Sequence, residues 1–488
     1  MDSPTFYRTS FNQPALDRIP FDVLYRIIQL LSITDVARLQ MVQIFSQIYA
    51  PPDLADSLIA GFEGPSKRSK NTSADMLKQN LVKSAKLARN WAPSQPKPTS
   101  TRRIEIDPRE WSHDLLFGRW LMFIAGTGNE IRTIDLESAG ADAKPVVLYS
   151  SDGATISHLY VLSTTSTDGH VLAFAVIKET SKTSSDTLKV LKVVGHAEGQ
   201  IGFKTIHSQI INWESNFFRP TIGPRLLVIP GEKYASHFEE ILCMDVVSNS
   251  VHHLPSGPQP ADLRIPLHVS FIPCALYLLV LRSFLVAGNA CQTTFEVFPL
   301  PSIDAIRNPS ILNSSHYGEC DSYIYDTHLL RDSYFDLYAN DQHFTFLYGS
   351  VRNIGKAFAT AFYGIAKITL CNKYSTDSIL FETRELFRQP HGRNLFLRSS
   401  VDGSTRGICV SSPSLAALQF MGEGLEHDVD ALDFTVTDSF EVTLSSHSIE
   451  TPSVHSRAVL IGFDGLRGRM VWRTAAINAS VLDVIDFA

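Results

Sequence analysis

The stretch Arg119-Trp-Leu-Met-Phe-Ile-Ala-Gly-Thr-Gly-Asn-Glu130-Ile-Arg-Thr-Ile-Asp-Leu136 places two apolar runs on either side of a glycine-rich turn. Short runs of aliphatic, aromatic and β-branched residues bounded by Gly, Asn and Asp are typical of adjacent β-strands. Comparable units begin at Leu159 and Arg225, and the pattern returns about every 45–55 residues, as in proteins built from repeated units. The stretch therefore predicts a strand–turn–strand unit that is repeated along the chain.

The whole region from residue 104 onward is β-rich and has few stretches of helical periodicity. Strands are predicted at residues 121–124, 131–135, 146–149, 159–162, 171–176, 188–194, 226–229, 241–246, 276–281, 294–298, 344–348, 365–370, 434–436 and 458–463. The region is too long for a single β-sandwich, and its repeat suits four-stranded blades. We predict an all-β propeller of six or seven degenerate blades over residues 104–488, with two stacked β domains as the alternative.

The predicted helices all lie in the first 103 residues, so the predicted fold class is α+β and multidomain. Residues 1–15 are predicted to be a disordered lead-in. Residues 16–60 contain three short amphipathic helices, the last of which ends before Pro51-Pro52. Residues 61–103 form a basic linker with a helix near residues 74–91 and a Pro-rich end.

Charge is unevenly distributed along the chain. Ten Lys/Arg and two acidic residues give the linker a net charge of +8, which leaves −15 for the rest of a chain whose net charge is −7. The acidic remainder does not indicate nucleic-acid binding. Six cysteines without a CxxC pair, none of them before Cys243, favour reduced thiols in an intracellular protein over disulfides or a zinc site.

The helical segment resembles the F-box. The ordered matches to the F-box pattern are Ile19, Pro20, Asp22, Val23, Leu24, Ile27, Ile28, Leu31, Asp35, Val36, Leu39 and Val42. The sequence departs from the pattern with Ile19 and Val36 in place of leucine, with Gln43 in place of cysteine, and with Phe45 one residue early. The departures after Val42 leave the third helix less well defined than the first.

The layout of the whole chain is similar to that of F-box proteins of mushroom-forming fungi. Those proteins carry an F-box, a helix ending in a tryptophan (here Trp91), a Pro-rich link and a WD-like propeller. The segment Leu115-Leu-Phe-Gly-Arg-Trp-Leu121 is similar to the start of their first blade, and Val484-Ile-Asp-Phe487 is similar to their terminal strand.

The resemblance implies a substrate-recognition subunit of an SCF-type cullin–RING ubiquitin ligase, located in the cytoplasm, the nucleus or both. The F-box would bind a Skp-type adaptor, and the β domain would hold an unidentified protein substrate for ubiquitin-dependent degradation. Recognition would use loops at one end of the propeller or its channel, where an aromatic or charged cluster is the expected anchor. The implied adaptor-binding residues are Ile19, Pro20, Val23, Leu24, Ile27, Ile28, Leu31, Val36, Leu39 and Val42.

Sequence motifs for catalysis, cofactors and metals are broken or missing. The segment from Gly349 to Lys356 has one residue too many for a phosphate loop, and Ala357 replaces the required Ser or Thr. Gly126-Thr-Gly128 begins a dinucleotide fingerprint without its third glycine, so we predict a hairpin turn there. His252-His253 is predicted to be a surface pair in a polar turn. We expect no catalytic residue, no metal and no cofactor, and we predict that the protein is not an enzyme.

One apolar run, residues 271–288, approaches the length of a membrane span. Pro273 and Arg282 interrupt it, so we predict two buried strands with a bend near Arg282-Ser283 and no membrane association. Two other functions stay open. One is a propeller-fold enzyme whose site residues come from different blades, and the other is an F-box scaffold that acts outside a ligase.

Overall fold

The fold is taken from a computed structural model in which most of the described residues lie in β-strands. The described residues are 86–87, 89–91, 96–137, 144–165, 171–181, 186–195, 200–211, 219–231, 240–254, 265–286, 290–300, 312, 315–336, 341–352, 360–370, 379–389, 393–399, 404–411, 429–436, 442–449, 458–465, 467–475 and 480–487. The predicted F-box, residues 16–60, lies outside them.

The strands alternate with short turns and longer connections. In chain order they are β1 (Ser100–Ile106), β2 (Trp111–Leu116), β3 (Trp120–Ile124), β4 (Glu130–Asp135), β5 (Val146–Ser150), β6 (Thr155–Thr165), β7 (Val171–Thr180), β8 (Asp186–Gly195), β9 (Ile201–Ile211), β10 (Thr221–Ile222), β11 (Leu226–Gly231), β12 (Glu240–Asp245), β13 (Val251–Leu254), β14 (Ile265–Pro273), β15 (Tyr277–Val286), β16 (Ala290–Pro299), β17 (His316–Cys320), β18 (Tyr323–Asp336), β19 (Asp341–Arg352), β20 (Thr360–Leu370), β21 (Ile379–Gln389), β22 (Arg393–Ser399), β23 (Ser404–Ser411), β24 (Val429–Val436), β25 (Val442–Ser448), β26 (Ala458–Asp464), β27 (Arg469–Ala475) and β28 (Ser480–Asp486).

Among the described residues the strands form seven antiparallel sheets of four strands each. Blades 1 to 6 are the consecutive groups β2–β5, β6–β9, β10–β13, β14–β17, β18–β21 and β22–β25. Blade 7 combines β26, β27 and β28 with β1, which comes from the other end of the β region. Strand β1 pairs with β28 along its whole length, from Ser100 opposite Asp486 to Ile106 opposite Ser480. This pairing joins the two ends of the β region in one sheet.

The first strands of neighbouring blades lie side by side. Contacts join β26 to β2, β2 to β6, β6 to β10, β10 to β14, β14 to β18, and β22 to β26. Seven meander sheets packed in succession around their first strands, with the last sheet completed by β1, have the architecture of a seven-bladed β-propeller. The propeller prediction is confirmed at this level, and the two-domain alternative is not what the topology shows.

Strand β3 explains why the apolar runs are continuous rather than alternating. All five of its residues are buried. Met122 and Ile124 pack in a cluster shared with blade 2, whereas Leu121 and Phe123 pack in one shared with blade 7. A blade between two neighbours buries both of its faces, so its central strands are apolar at every position.

The meander topology gives the ring two distinct ends. All first strands run in the same direction, because in each blade the fourth strand is antiparallel to the first and leads into the first strand of the next blade. We call the mouth face the end that carries the segments entering the first strands, such as residues 107–110, and the turns between second and third strands, such as residues 125–129. We call the linker face the opposite end, which carries the turns between first and second strands, such as residues 117–119 and 467–468.

The end of the predicted linker helix lies on the linker face of blade 7. Lys86, Leu87 and Arg89–Trp91 are helical where the structure describes them, and the rest of residues 74–91 lies outside the described residues. Leu87 and Trp91 are buried in a cluster with Met470, Trp472 and Phe487. The basic side chains of Lys86 and Arg89 are exposed, as the amphipathic pattern predicted.

A glycine makes this docking possible. Gly468 has a φ of +61°, and a Cβ placed on it would lie 2.2 Å from Leu87 Cδ1. A side chain at this position would therefore suffer both backbone strain and a steric clash. Asn90 fastens the helix end, because its Nδ2 donates to the carbonyl oxygens of Phe487 and Lys97, each at 2.7 Å.

Several details differ from the sequence-based predictions. Strand β1 begins at Ser100, inside the segment that the sequence analysis assigned to the linker. As an outermost strand it buries only Ile104 and Ile106 and is polar elsewhere, so its sequence lacks the apolar run that marks the other strands. The apolar run 271–288 does form two strands, but the turn lies between Pro273 and Tyr277, and Arg282 is in the middle of β15.

Two predicted turns had different outcomes. The Gly126–Gly128 hairpin turn is confirmed, with Gly128 at a φ of +75° between β3 and β4. The prediction of a surface His252 was wrong, because His252 lies in β13 and is buried. Among the described residues, the structure has no helix long and apolar enough to cross a membrane.

Candidate functional site

Exposed apolar side chains mark the places where first strands begin at the mouth face. Trp111 opens β2 and is 36% exposed, and Val459, the second residue of β26, is 65% exposed. Leu267 has the corresponding place near the start of β14 and is 36% exposed. First strands line the channel of a propeller, so these side chains lie around its mouth.

Trp111 and Val459 lie in β2 and β26, the first strands that meet at the seam between blade 7 and blade 1. A Cβ placed on Gly462 of β26 would lie 2.9 Å from the Cβ of Leu115 in β2, so the two parallel first strands touch there. Between this contact and the mouth face both strands are irregular, with register shifts at Trp111/Asp114 in β2 and at Leu460/Gly462 in β26. We call the two exposed apolar side chains at the mouth-face ends of these strands, Trp111 and Val459, the mouth patch.

Strand β2 is irregular at the point where it presents Trp111. Ser112 has a φ of +51°, and the pairing of β2 with β3 shifts register between Trp111 and Asp114. A bulge of this kind bends a strand and redirects its side chains, and bulges are common next to functional sites.

Side chains of the bulge fix β2 to the first strand of blade 2. Ser112 Oγ donates to the carbonyl oxygen of Leu159 at 3.2 Å, and Val161 N–H donates to Asp114 Oδ2 at 2.9 Å. Burial raises the pKa of Asp114, although Arg219 and the N–H groups of Val161 and Leu115 oppose the shift. Two hydrogen bonds thus fix the start of β2 to blade 2.

The segment that leads into Trp111 is held by blade 7. Arg473 Nη2 donates to the carbonyl oxygens of Glu110 at 2.9 Å and Pro108 at 3.4 Å, and to Ser480 Oγ at 3.2 Å. In the same segment Arg109 Nη2 lies 2.6 Å from Asp107 Oδ2. The hydrogen bond from the Arg109 side chain, helped by the Arg109 N–H, lowers the pKa of Asp107 to about 2.

Two titratable side chains lie beneath this segment. Glu110 is 3% exposed, and its pKa is raised to about 7 by burial and by Asp107, against the opposing charges of Arg132 and Arg473. His113 has its pKa lowered to about 3 by burial and by Arg473. Glu110 Oε2, His113 Nε2 and Arg473 Nε are buried atoms that have no hydrogen-bond partner among the described residues.

The linker face of the blades has a different, repeated arrangement. An arginine at the start of a second strand pairs with an aspartate at the end of the third strand in blades 1, 3 and 7. The pairs are Arg119–Asp135 at 2.8 Å, Arg225–Asp245 at 2.7 Å, and Arg469–Asp486. In each blade the residue after the aspartate donates its N–H to a carbonyl at the start of the second strand, the donors being Leu136, Val246 and Phe487.

In blade 3 the charge of the Asp245 carboxylate is stabilised by its hydrogen-bond and ion-pair partners despite being buried. Burial alone would raise its pKa, but the N–H groups of Ser248 and Val247 and the Arg225 guanidinium outweigh burial and lower the pKa. The pair is almost fully buried, with 6% and 2% of the two side chains exposed. The seam carries a further pair, Arg467 Nη1 with Glu137 Oε1 at 2.6 Å.

The predicted adaptor-binding residues all lie outside the described residues. The mouth residues Glu110, Trp111, His113, Val459 and Arg473 were not predicted individually, although an aromatic or charged cluster at one end of the propeller was the expected anchor. Among the described residues, no group of three or more His, Cys, Asp and Glu side chains is arranged to hold a metal ion.

No protein-family model and no curated protein matches the chain. Among solved structures, the β-propeller domain of Nup133 from Vanderwaltozyma polyspora is similar to it with a TM-score of 0.42 and 11% identity over 80% of this chain and 98% of that one. Extracellular domains 1–2 of Drosophila Semaphorin 1a give a TM-score of 0.38 and 8% identity over 78% and 86% of the two chains. The α-L-arabinanase of Penicillium chrysogenum gives 0.31 and 11% over 67% and 93%. These likenesses are in overall fold, and no functional inference follows from them.

Proposed function

We propose that the protein is a substrate-recognition subunit of an SCF-type cullin–RING ubiquitin ligase and is not itself an enzyme. Its F-box would bind a Skp-type adaptor through the stripe that includes Leu24 and Ile27, and its propeller would bind a protein substrate at the mouth patch. The ordered F-box pattern from Ile19 to Val42 supports the adaptor half of this proposal.

The observation that carries the substrate half is the position of the two apolar features at opposite ends of the ring. Leu87 and Trp91 attach the N-terminal segment to the linker face of blade 7. Trp111 and Val459 are exposed at the mouth face of the same seam. A receptor that holds an adaptor on one side needs a recognition surface that the attachment does not cover, and the mouth patch is such a surface.

Exposed tryptophan is well suited to this role. Trp offers a large rigid surface at a low entropic cost, and it is enriched among the residues that dominate the binding energy of protein interfaces. Isolated exposed apolar residues are common on proteins, but here two occur at the mouth-face ends of neighbouring first strands.

Co-purification with a Skp-type adaptor tests the adaptor half. Wild type is expected to retain the adaptor, whereas Leu24→Asp and Ile27→Asp are expected to lose it, because a charge would be buried in an apolar interface. Trp111→Ala is the matched control and should keep the adaptor. The proposal fails if the wild type does not bind, or if the charged variants bind equally while their thermal unfolding is unchanged.

A further inference from the structure

The surface segment that leads into Trp111 carries one buried carboxyl. Arg109 and Trp111 are exposed on either side of Glu110, which is itself buried. The Glu110 N–H donates to the Asp107 carbonyl oxygen at 3.0 Å, and the Glu110 carbonyl oxygen accepts from Arg473 Nη2 at 2.9 Å. Two hydrogen bonds therefore fix the backbone at the residue whose side chain points away from solvent.

The buried place of Glu110 suits a neutral carboxyl better than a carboxylate. Glu110 Oε2 is a buried atom that has no hydrogen-bond partner among the described residues. Burial and the charge of Asp107 raise the pKa of this carboxyl to about 7, although Arg132 and Arg473 act in the opposite direction. Burying an ionised carboxyl costs far more free energy than burying a neutral one unless the charge is paired.

The charged groups around Glu110 have other partners in this arrangement. Arg132 of β4 is paired with Glu130 at 2.8 Å. Arg473 of β27 donates to carbonyl oxygens of the segment itself. His113 of β2 is neutral at physiological pH, because burial and Arg473 lower its pKa to about 3. Once Glu110 ionises, moving the carboxylate into solvent is the simplest way to remove the cost of its burial.

Solvent is close to Glu110, but reaching it requires a change in the backbone. The side chain of the adjacent Arg109 is 77% exposed. Turning Glu110 outward breaks its backbone hydrogen bonds to Asp107 and Arg473. The pairing of β2 with β3 is irregular directly after Trp111, so the start of β2 can shift while the rest of the strand stays paired.

We propose that the segment from Asp107 to Trp111 is a proton-controlled latch. Loss of the Glu110 proton to solvent favours an open form, in which the carboxylate lies in water and Trp111 has left the place that it has in the closed form. The latch is built into the propeller, so its action does not depend on the ligase role. Only its effect on a substrate at the mouth patch rests on the proposed function.

The size of the effect follows from proton linkage. The Glu110 carboxyl has a pKa of about 7 in the closed form and returns to its ordinary value of 4.5 when it is open to water. The open form binds the proton less tightly, so rising pH favours opening until the carboxyl is ionised in both forms. With these two values, the equilibrium constant for opening increases about tenfold between about pH 6 and about pH 8.

Hydrogen–deuterium exchange of the full-length protein tests the latch, because local opening frees the Glu110 N–H for exchange. After correction for the intrinsic pH dependence of amide exchange, the protection of this amide in wild type should fall about tenfold between about pH 6 and about pH 8. Glu110→Gln has no proton to lose, so its protection should not change with pH. Glu105→Gln is the matched control, because it makes the same substitution at an exposed residue of β1 and should keep the wild-type response.

Three outcomes would overturn the proposal. The first is a corrected protection at Glu110 that does not change with pH in wild type, and the second is an equal pH response in Glu110→Gln. The third is a parallel loss of protection in β3, which would mean that the whole blade opens rather than the segment. None of these results depends on adaptor binding, so failure of the latch and failure of the ligase proposal are distinguishable.

Discussion

The two ends of the seam between blade 7 and blade 1 are built from the same strands but have opposite character. On the linker face Trp91 is buried against Phe463 and Phe487, at centroid distances of 5.7 Å and 5.6 Å. On the mouth face Trp111 is exposed, and buried polar atoms of Glu110 and His113 lie beneath it without partners among the described residues. Trp91 Nε1 on the linker face also has no hydrogen-bond partner among the described residues, so the two ends differ in exposure: the linker face buries its tryptophan, whereas the mouth face leaves Trp111 open to solvent.

Among the variants that test this comparison, the largest loss of stability is expected when the buried Trp91 is removed. Trp91→Ala would empty the core shared by the linker helix and blade 7, and it should lower the free energy of unfolding by about 4 kcal/mol. Thermal and denaturant unfolding measure this change. Trp111→Ala is the matched control and should cost less than about 1 kcal/mol. Equal losses of stability in the two variants would mean that Trp111 is packed in the folded protein as closely as Trp91.

The next effect concerns the arginine–aspartate pairs of the linker face. Arg225→Ala leaves Asp245 as a buried charge without its cation, which should cost about 3 kcal/mol. Arg119→Ala breaks the equivalent pair in blade 1, whose side chains are 20% and 24% exposed, so its cost should be about 1 kcal/mol. Denaturant unfolding of both variants measures the difference. If Arg119→Ala costs as much as Arg225→Ala, burial does not determine the strength of these pairs.

The third effect is the pH dependence that Glu110 gives to the mouth face. Its pKa in the folded protein is about 7, above the ordinary value of 4.5. The folded state therefore keeps Glu110 protonated up to a higher pH than the unfolded state does. As a result, the contribution of Glu110 to the free energy of unfolding falls as pH rises from about 4.5 to about 7. Glu110→Gln removes the loss, so it should be more stable than wild type by about 2 kcal/mol at about pH 8, and by much less at about pH 4.

The difference between variant and wild type has to be measured, because His113 acts in the opposite direction. Its pKa is lowered to about 3, so its contribution to stability rises with pH up to its ordinary pKa of 6.5. The two slopes oppose each other between about pH 4.5 and 6.5 in wild type. Melting temperatures of both proteins across this range check the prediction. A difference that does not change with pH would show that Glu110 ionises normally in the fold.

The strands could be predicted because their apolar residues are contiguous in the sequence. The run from Trp120 to Ile124 is apolar throughout, since a blade is packed on both faces. Strand β1, Ser-Thr-Arg-Arg-Ile-Glu-Ile, was assigned largely to the linker because an outermost strand carries polar residues on its exposed side. The repeated arginine and aspartate, visible at Arg119…Asp135 and Arg225…Asp245, were a signal that sequence reasoning did not use.

The mouth face could not be assembled from the sequence because its parts are far apart in the chain. Glu110 and Arg473 are separated by 363 residues and meet only because β1 closes blade 7 beside blade 1. Trp111 stands in the polar context Glu-Trp-Ser-His-Asp, which resembles a turn more than a strand. Its exposure follows from its place at the start of a first strand, which is a property of the ring.

The smallest expected effect tests whether the mouth patch is open to solvent. Val459 and Val471 both belong to blade 7, but Val459 is 65% exposed and Val471 is fully buried. Replacing valine with threonine keeps the β-branched shape and exchanges a methyl group for a hydroxyl, so strand propensity is nearly unchanged. Val471→Thr buries an unsatisfied hydroxyl and should cost about 1–2 kcal/mol, whereas Val459→Thr should stay within about 0.5 kcal/mol of wild type. Parallel denaturant titrations measure both values. A cost at Val459 as large as that at Val471 would mean that Val459 is packed in the folded protein, and the patch beside Trp111 would then not be available to a partner.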